Sequence, residues 1–375
     1  MNNNRKRYAW ARAGIVIGIV AVGLPAGASA GPSGATGTLV VDSSIGSYTA
    51  SVAVSGGIAI AGSDTMQPIM TKIASAFRKW QPDVKIAVQG GGTDAALLQF
   101  LQDQATLRRG DADASPKSHM VSGNLALLAA SRPLTISERN NFKSRYGYEV
   151  IEIPIALDAI AVFVNSRNPI EGLALEQLDA IFGKERKRGM QEEIATWGQL
   201  GLRDDWAQQP VHRYGQDQHS GTRAIFIQEA LKGGEFRSDV REESGPALEI
   251  LAISRDVLGI GYAGVSFRAS TIRFLPLAER VGAAFVAPSP ETVSNGTYPL
   301  GRPLYLYAKR NAKAGLEPEV LEFLKFVNSR EGQDMVARAG SYPLQAHQVA
   351  KNLQILTSAA MSATTSDTAL LAGRK

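Results

Sequence analysis

The sequence predicts an α/β fold in two domains, on three observations. Short apolar runs bounded by turn residues alternate with segments of helical periodicity. Glycine-and-hydroxyl turns follow several of those runs, where folds of this class place ligands. The ~345 residues left once an N-terminal leader is set aside are enough for two cores of ordinary size.

Arg5, Lys6, Arg7 and Arg12 precede an apolar run from Ala13 to Leu24 that leads into Ala28-Ser29-Ala30, the layout of a secretory signal peptide cut after Ala30. The run is about 12 residues and stops at Pro25, whereas a bilayer span needs ~20. Its removal takes away four basic side chains and no acidic ones, so the formal charge falls from +5 to +1. A near-neutral chain lacks the clustered basic face that nucleic acid requires, and Lys184 to Arg188, between Gly183 and Gly189, reads as a solvated loop. There is no cysteine, which excludes disulfides, thiolate metal sites and lipid attachment at the cleavage point. His119, His212, His219 and His347 show no metal-ligand spacing, and no metal or cofactor is expected.

Residues 31–57 are rich in Gly, Ala, Ser and Thr and read as a linker or partly ordered segment, with short strands conceivable at Thr38 to Asp42 and Tyr48 to Val54. Ile58 to Ala61 is a strand-like run. Met66, Ile69, Met70, Ile73, Phe77 and Trp80 then share a helical face, and Val84, Ile86 and Val88 alternate as a strand does. A helix from Asp94 to about Leu107 follows the turn Gly90-Gly91-Gly92-Thr93. Arg108 to Gly123 loses all periodicity and reads as a surface insertion. Its Arg109-Gly110-Asp111 is too short to signify adhesion, and Asp111 and Asp113 lack calcium-loop spacing. Asp158 to Asn165, Leu258 to Ala263 and Leu304 to Ala308 suit buried, largely parallel strands, Leu175 to Phe182 a helix between them. Val320, Leu324 and Val327 mark a late helix. One more helix can follow Ala346, with Ser358 to Lys375 as a tail.

Four hydroxyl-bearing turns stand out: Gly62-Ser63-Asp64-Thr65-Met66, Gly92-Thr93, Ser131-Arg132 and Ser220-Gly221-Thr222-Arg223. Each taken alone suits helix capping. Together they predict an oxyanion pocket, because unpaired amides at helix starts and neutral hydroxyls hold an anion without metal. Arg132 and Arg223 can add forked donors. Asp64 can accept the proton of a protonated anion, which would favour phosphate over fully ionised sulfate. His219 beside Ser220 offers a nucleophile-and-base pair but no third partner. The turn at Gly90 lacks the lysine of a nucleotide phosphate loop.

The stretches Ala61-Gly62-Ser63-Asp64-Thr65-Met66, Gln89 to Thr93, Ala130-Ser131-Arg132-Pro133-Leu134, Asp158 to Asn165, Ser220 to Arg223, Ile260-Gly261-Tyr262, Tyr298-Pro299-Leu300 and Arg302-Pro303-Leu304 resemble, in order and spacing, the periplasmic phosphate-binding proteins of bacterial ABC importers. The resemblance implies a two-lobed periplasmic-binding-protein fold of type II, each lobe a mostly parallel sheet flanked by helices, joined by a hinge. It implies a first lobe over 58–155, a second over 156–298, a return over 299–346 and a C-terminal helix or tail over 347–375. Thr65, the Met66 amide and Thr93 would meet phosphate from the first lobe, and Ser220, Gly221 and Thr222 from the second. Two positions depart from the family pattern: Arg132 stands where members carry an acidic ligand, and Gln216 where many carry arginine. Arg132, Arg223 or Arg213 would restore the positive charge, and Asp64 or Asp158 the acceptor. The implied function is capture of inorganic phosphate by an exported monomer that delivers it to ABC permease subunits, without catalysis. Sulfate or another oxyanion as ligand, a secreted interaction or adhesion protein on this scaffold, and a secreted phosphatase are the alternatives.

Overall fold

The computed structural model describes residues 39–102, 106–107, 121–122, 125–311 and 315–361. The predicted leader, the Arg109-Gly110-Asp111 tripeptide, Asp113 and the end of the predicted tail lie outside the described residues. The chain begins with β1 (Gly56–Gly62), α1 (Gln67–Phe77), β2 (Val84–Gln89), α2 (Thr93–Gln102), the short pair β3 (Thr106–Leu107) and β4 (Val121–Ser122), β5 (Leu127–Ala130) and α3 (Ile136–Tyr146). A long β6 (Ile151–Asn165) leads to β7 (Leu173–Ala174), α4 (Leu175–Phe182), β8 (His212–Gln216), α5 (Gly221–Glu229), β9 (Arg241–Glu243), α6 (Pro246–Arg255), β10 (Gly259–Gly264), β11 (Ile272–Leu275), β12 (Leu277–Ala278) and α7 (Pro290–Ser294). The chain ends with β13 (Gly301–Ala308), α8 (Pro318–Val327), α9 (Arg330–Arg338) and α10 (Ala346–Met361).

The main sheet runs β2-β1-β5-β13-β6-β10-β8-β9, with β11 also on β6. Its flanks are parallel: β1 pairs with β2 and β5, and β8 with β10 and β9. Its centre is antiparallel, because β13 pairs with β5 and with the first part of β6, and β10 and β11 pair with the last part of β6. One strand of 15 residues thus belongs to both halves. Alternate residues explain why β1 and β13 read as continuous apolar runs. The strands β13, β6 and β10 read from sequence as largely parallel, but at the centre they pair antiparallel. Ile58 and Ile60 of β1 and Leu304 and Leu306 of β13 enter a core with Phe77, Phe323 and Phe326. Ala59, Ala61, Tyr305 and Tyr307 enter another with Phe100 and Phe142 on the opposite face. A third core, around Phe163, Phe182, Trp197, Phe226 and Tyr262, belongs to the other half.

Several local expectations change, among them the helix read from Asp94 to about Leu107, which ends at Gln102 and is followed by strand β3 at Thr106–Leu107. No strand forms over 39–55; Tyr48 instead pins this segment, its hydroxyl donating to Glu322 (2.7 Å) and its ring meeting Trp80 and Phe326 edge-on. Trp80 lies beyond the end of α1, which stops at Phe77. Gly332 sits in α9, where a β-carbon would lie 2.1 Å from the Phe326 carbonyl oxygen. The last helix extends to Met361, past the predicted start of the tail at Ser358. Among the described residues no helix is long and apolar enough to cross a membrane.

Candidate functional site

Four turns meet where the parallel strands end. The segments after β1, β2, β5 and β8 carry Ser63 to Thr65, Gly90 to Thr93, Ser131, and Ser220 to Thr222, the carboxyl-end position at which α/β sheets bind ligands. Ser63, Thr65, Thr93, Ser131 and Thr222 are all at most 4% exposed. The Thr65 and Thr222 hydroxyls hydrogen-bond each other at 3.1 Å, and those of Thr93 and Ser131 at 3.4 Å. Ser63, Asp64, Thr65, Gly92, Gln216, Ser220 and Gly221 line a narrow, closed cleft. A β-carbon on Gly92 would stand 2.4 Å from the His219 carbonyl oxygen, and one on Gly221 2.5 Å from Thr93 Oγ1. Only glycine permits this approach of the two sides.

Helix α5 begins inside the cleft. Ser220 is its N-cap, accepting from the Arg223 amide (3.2 Å), while its own proton goes to Gln216 Oε1 (2.6 Å). Both roles of that hydroxyl are filled, so the N–H groups of Gly221 and Thr222, first-turn donors of the helix, are the better anion contacts from this segment. The same bond gives Ser220 a glutamine partner in place of an imidazole, which removes the pairing the nucleophile reading needs. On the opposite side Thr65 is not a cap: α1 starts at Gln67 with Met66 as N-cap and no side-chain cap. The Met66 amide, expected to face the ligand, donates to the Ser63 carbonyl at 2.9 Å instead. Turn closure takes the Met66 donor, leaving the side chains of Ser63, Asp64 and Thr65 to face the cleft from this turn.

The arginines singled out from sequence point elsewhere. Arg132 forks onto Glu138 (2.7 and 2.8 Å) and also holds Asp94 (2.6 Å), away from the cleft. Burial would lower its guanidinium, but Glu138 and Asp94 hold it above the usual arginine range. Arg223 lies over the Phe236 ring, donates to the Gln216 carbonyl and pairs with Glu242 (2.8 Å). Arg213 is spent on the Ile181, Val211 and Ile194 carbonyls and on Asp239. Gln216 does not merely lack a charge: its amide bridges Ser220 to buried Glu249 (2.9 Å), whose carboxyl burial pushes up to about 8. Asp64 lies in the cleft, accepting from the Gly91 amide at 2.8 Å. Burial raises its carboxyl, and the Asp217 charge adds to that, against the Gly91 bond.

From the sequence, Arg302 entered only as part of the family-like stretch Arg302-Pro303-Leu304, with no ligand contact assigned to it. It stands on β13 directly opposite Asp158 on β6, both buried, with Nη2 donating to Asp158 Oδ2 (2.8 Å) and to Thr222 Oγ1 (3.0 Å) and Nη1 to the Ser131 carbonyl (3.1 Å). Its pairing rests on register between strands far apart in sequence, which no local pattern records. Among the described residues no group of three or more His, Cys, Asp or Glu is arranged to hold a metal ion.

Two α/β halves sharing crossing strands, with hydroxyls and a helix start converging between them, define a two-lobed substrate-binding fold rather than a closed barrel. Residues 47–331 match the model of the PBP superfamily domain. The chain belongs to that superfamily, and within it to the family of the phosphate-binding protein PstS of Pseudomonas aeruginosa, with which it shares 35% identity over 88% of this chain and 95% of the relative. It is 27% identical to protein SphX of Synechococcus elongatus over 76% of this chain and 77% of that one. In fold it is similar to an ABC-type phosphate transport receptor of Vibrio cholerae (TM-score 0.55, 20% identity, 76% and 100% of the two chains) and to the periplasmic phosphate-binding protein PfluDING bound with phosphate (TM-score 0.57, 15% identity, 79% and 92%).

Proposed function

We propose that this chain binds inorganic phosphate between its lobes and delivers it to the permease subunits of an ABC-type importer, with no reaction of its own. The observation that carries this is the convergence of buried, uncharged hydroxyls from both sides on the first turn of α5, next to a carboxyl raised by burial. Neutral donors and a helix start hold a dianion, and Asp64 accepts the proton that distinguishes hydrogen phosphate from sulfate. The PstS relationship supports the same reading. Thr65 and Thr222 are already within a hydrogen bond of each other, so the lobes part to admit the anion and close again over it, β6 and β13 serving as the hinge. We assign the first lobe to 58–155, the second to 156–298 and the return to 299–346. The ligand contacts are Ser63, Asp64, Thr65, Gly92, Thr93, Ser131, Gly221 and Thr222. The protein acts as a monomer exported after cleavage behind Ala30.

Calorimetric titration of the mature protein, stripped of anion by partial unfolding and refolding, tests the assignment. Tight phosphate binding that excess sulfate does not displace is expected. Preferential sulfate binding moves the function to another oxyanion, and silence from both anions refutes the reading.

A further inference from the structure

The cleft as described holds neutral donors and a carboxylate, yet its ligand is an anion, so the origin of the positive charge is open. Arg132, Arg223 and Arg213 each meet a carboxylate outside it. Resting on the phosphate reading, we propose that Arg302 is the cationic ligand of the bound anion and that Asp158 is the positioning residue that aims its guanidinium at Thr222.

The guanidinium is 4% exposed in its side chain and Asp158 is fully buried. A buried ion pair is weak evidence for stability, since desolvation offsets much of the attraction, so its presence against Thr222 and Ser131 asks for another role. Burial pushes the Asp158 carboxyl up and the Arg302 guanidinium down, against the attraction of each for the other. An incoming anion favours the charged guanidinium. The geometry supplies the route: Nη2 donates at once to Asp158 and to Thr222 Oγ1, and Thr222 Oγ1 in turn meets Thr65 Oγ1. An anion oxygen arriving between the two threonines replaces Thr222 Oγ1 as acceptor of that N–H. The Nη1 bond to the Ser131 carbonyl and the second Asp158 contact from Nε fix the plane of the group meanwhile. Because Arg302 and Asp158 are cross-strand partners on the two crossing strands, the charge sits at the base of both lobes.

The test compares wild type, Arg302→Lys and the double variant Arg302→Met with Asp158→Leu, each titrated with inorganic phosphate after its melting temperature is recorded. Replacing both charges with apolar side chains avoids stranding either one. Expected is a folded double variant that binds phosphate at least ~100-fold more weakly than wild type, about 2.7 kcal/mol or more, with Arg302→Lys in between. Binding of the double variant within threefold of a phosphate-binding wild type overturns the assignment. A wild type that binds no phosphate overturns the transport reading beneath it as well. If the double variant does not fold, a wild-type crystal structure with phosphate decides: an Arg302 nitrogen at hydrogen-bond distance from a phosphate oxygen supports the role, and a gap of more than about 4 Å overturns it.

Discussion

Replacing Gly221 with alanine isolates the closure of the cleft from the stability of its walls. The added methyl would meet Thr93 Oγ1 at 2.5 Å, Ser131 Oγ at 2.7 Å and Thr93 Cβ at 3.0 Å. The first of these is about 0.9 Å short of ordinary contact, so the start of α5 must retreat by roughly that distance. Gly221 is the first residue of α5 and has no positive φ, and alanine is the better helix former, so the helix itself does not suffer. The retreat stretches the 3.1 Å Thr65–Thr222 bond and the 3.0 Å Arg302–Thr222 bond beyond useful length. It withdraws the Gly221 and Thr222 amides from the anion by the same amount. Two hydrogen bonds to a charged ligand at about 1.5–3 kcal/mol each come to roughly 3–6 kcal/mol, or ~10²- to 10⁴-fold in Kd. Calorimetric titration with phosphate, paired with a melting curve, reads both quantities. Affinity within threefold of wild type at unchanged melting temperature would refute the argument that Gly221 is selected for the approach of the two lobes.

Thr93→Ala and Thr222→Ala should each weaken phosphate binding by about 1–3 kcal/mol by removing a buried hydroxyl donor; titrations that show neither change remove both from the site. Arg132→Ala should leave phosphate affinity within about threefold but lower stability by roughly 1–3 kcal/mol in a urea titration, because Glu138 and Asp94 lose their shared cation; a tenfold loss of affinity would return Arg132 to the cleft. Glu249 makes stability depend on pH. Its folded-state carboxyl is raised from 4.5 to about 8 by burial, so its favourable contribution is complete below pH 4.5 and is lost as pH rises toward 8. The difference in unfolding free energy between wild type and Glu249→Gln should therefore fall by roughly 5 kcal/mol between pH 4.5 and 8, and parallel pH profiles of the two proteins would show that Glu249 does not titrate there. Asp64→Asn should narrow the preference for phosphate over sulfate, read by competition titration, and an unchanged ratio would mean that another group accepts the ligand's proton.

Parts of this fold and site were legible because they are written locally. The helix Leu175–Phe182 shows its period within eight residues, and the glycine-and-hydroxyl turns at Ser63, Thr93, Ser131 and Ser220 announce themselves by composition. Side-chain direction is harder. Arg132 read as a ligand, yet Thr135-Ile136-Ser137-Glu138 is a capping box, and the glutamate that caps α3 also takes the arginine. That signal was in the sequence and concerned the same residues. The Asp158–Arg302 pair had no such local mark, since it needs the register of β6 against β13 across 144 positions. Gln216 looked like a lost charge because Glu249, which gives it a purpose, comes from α6. The Met66 amide, a contact that the family pattern implied, closes the turn onto the Ser63 carbonyl instead, a bond that no residue type announces.

The late return of the chain through β13 also sets the order in which the molecule can assemble. Leu127 and Leu128 of β5 find their neighbours at Ala308 and Tyr307, and Phe77 of α1 packs on Phe323 and Phe326 of α8. Until about residue 330 has emerged from the ribosome, the first lobe lacks a central strand and one wall of its core. Contacts this distant are costly in loop-closure entropy and slow to form. The nascent N-terminal half therefore stays an open, hydrophobic chain throughout most of translation, a client for holding factors rather than a domain that folds as it is made.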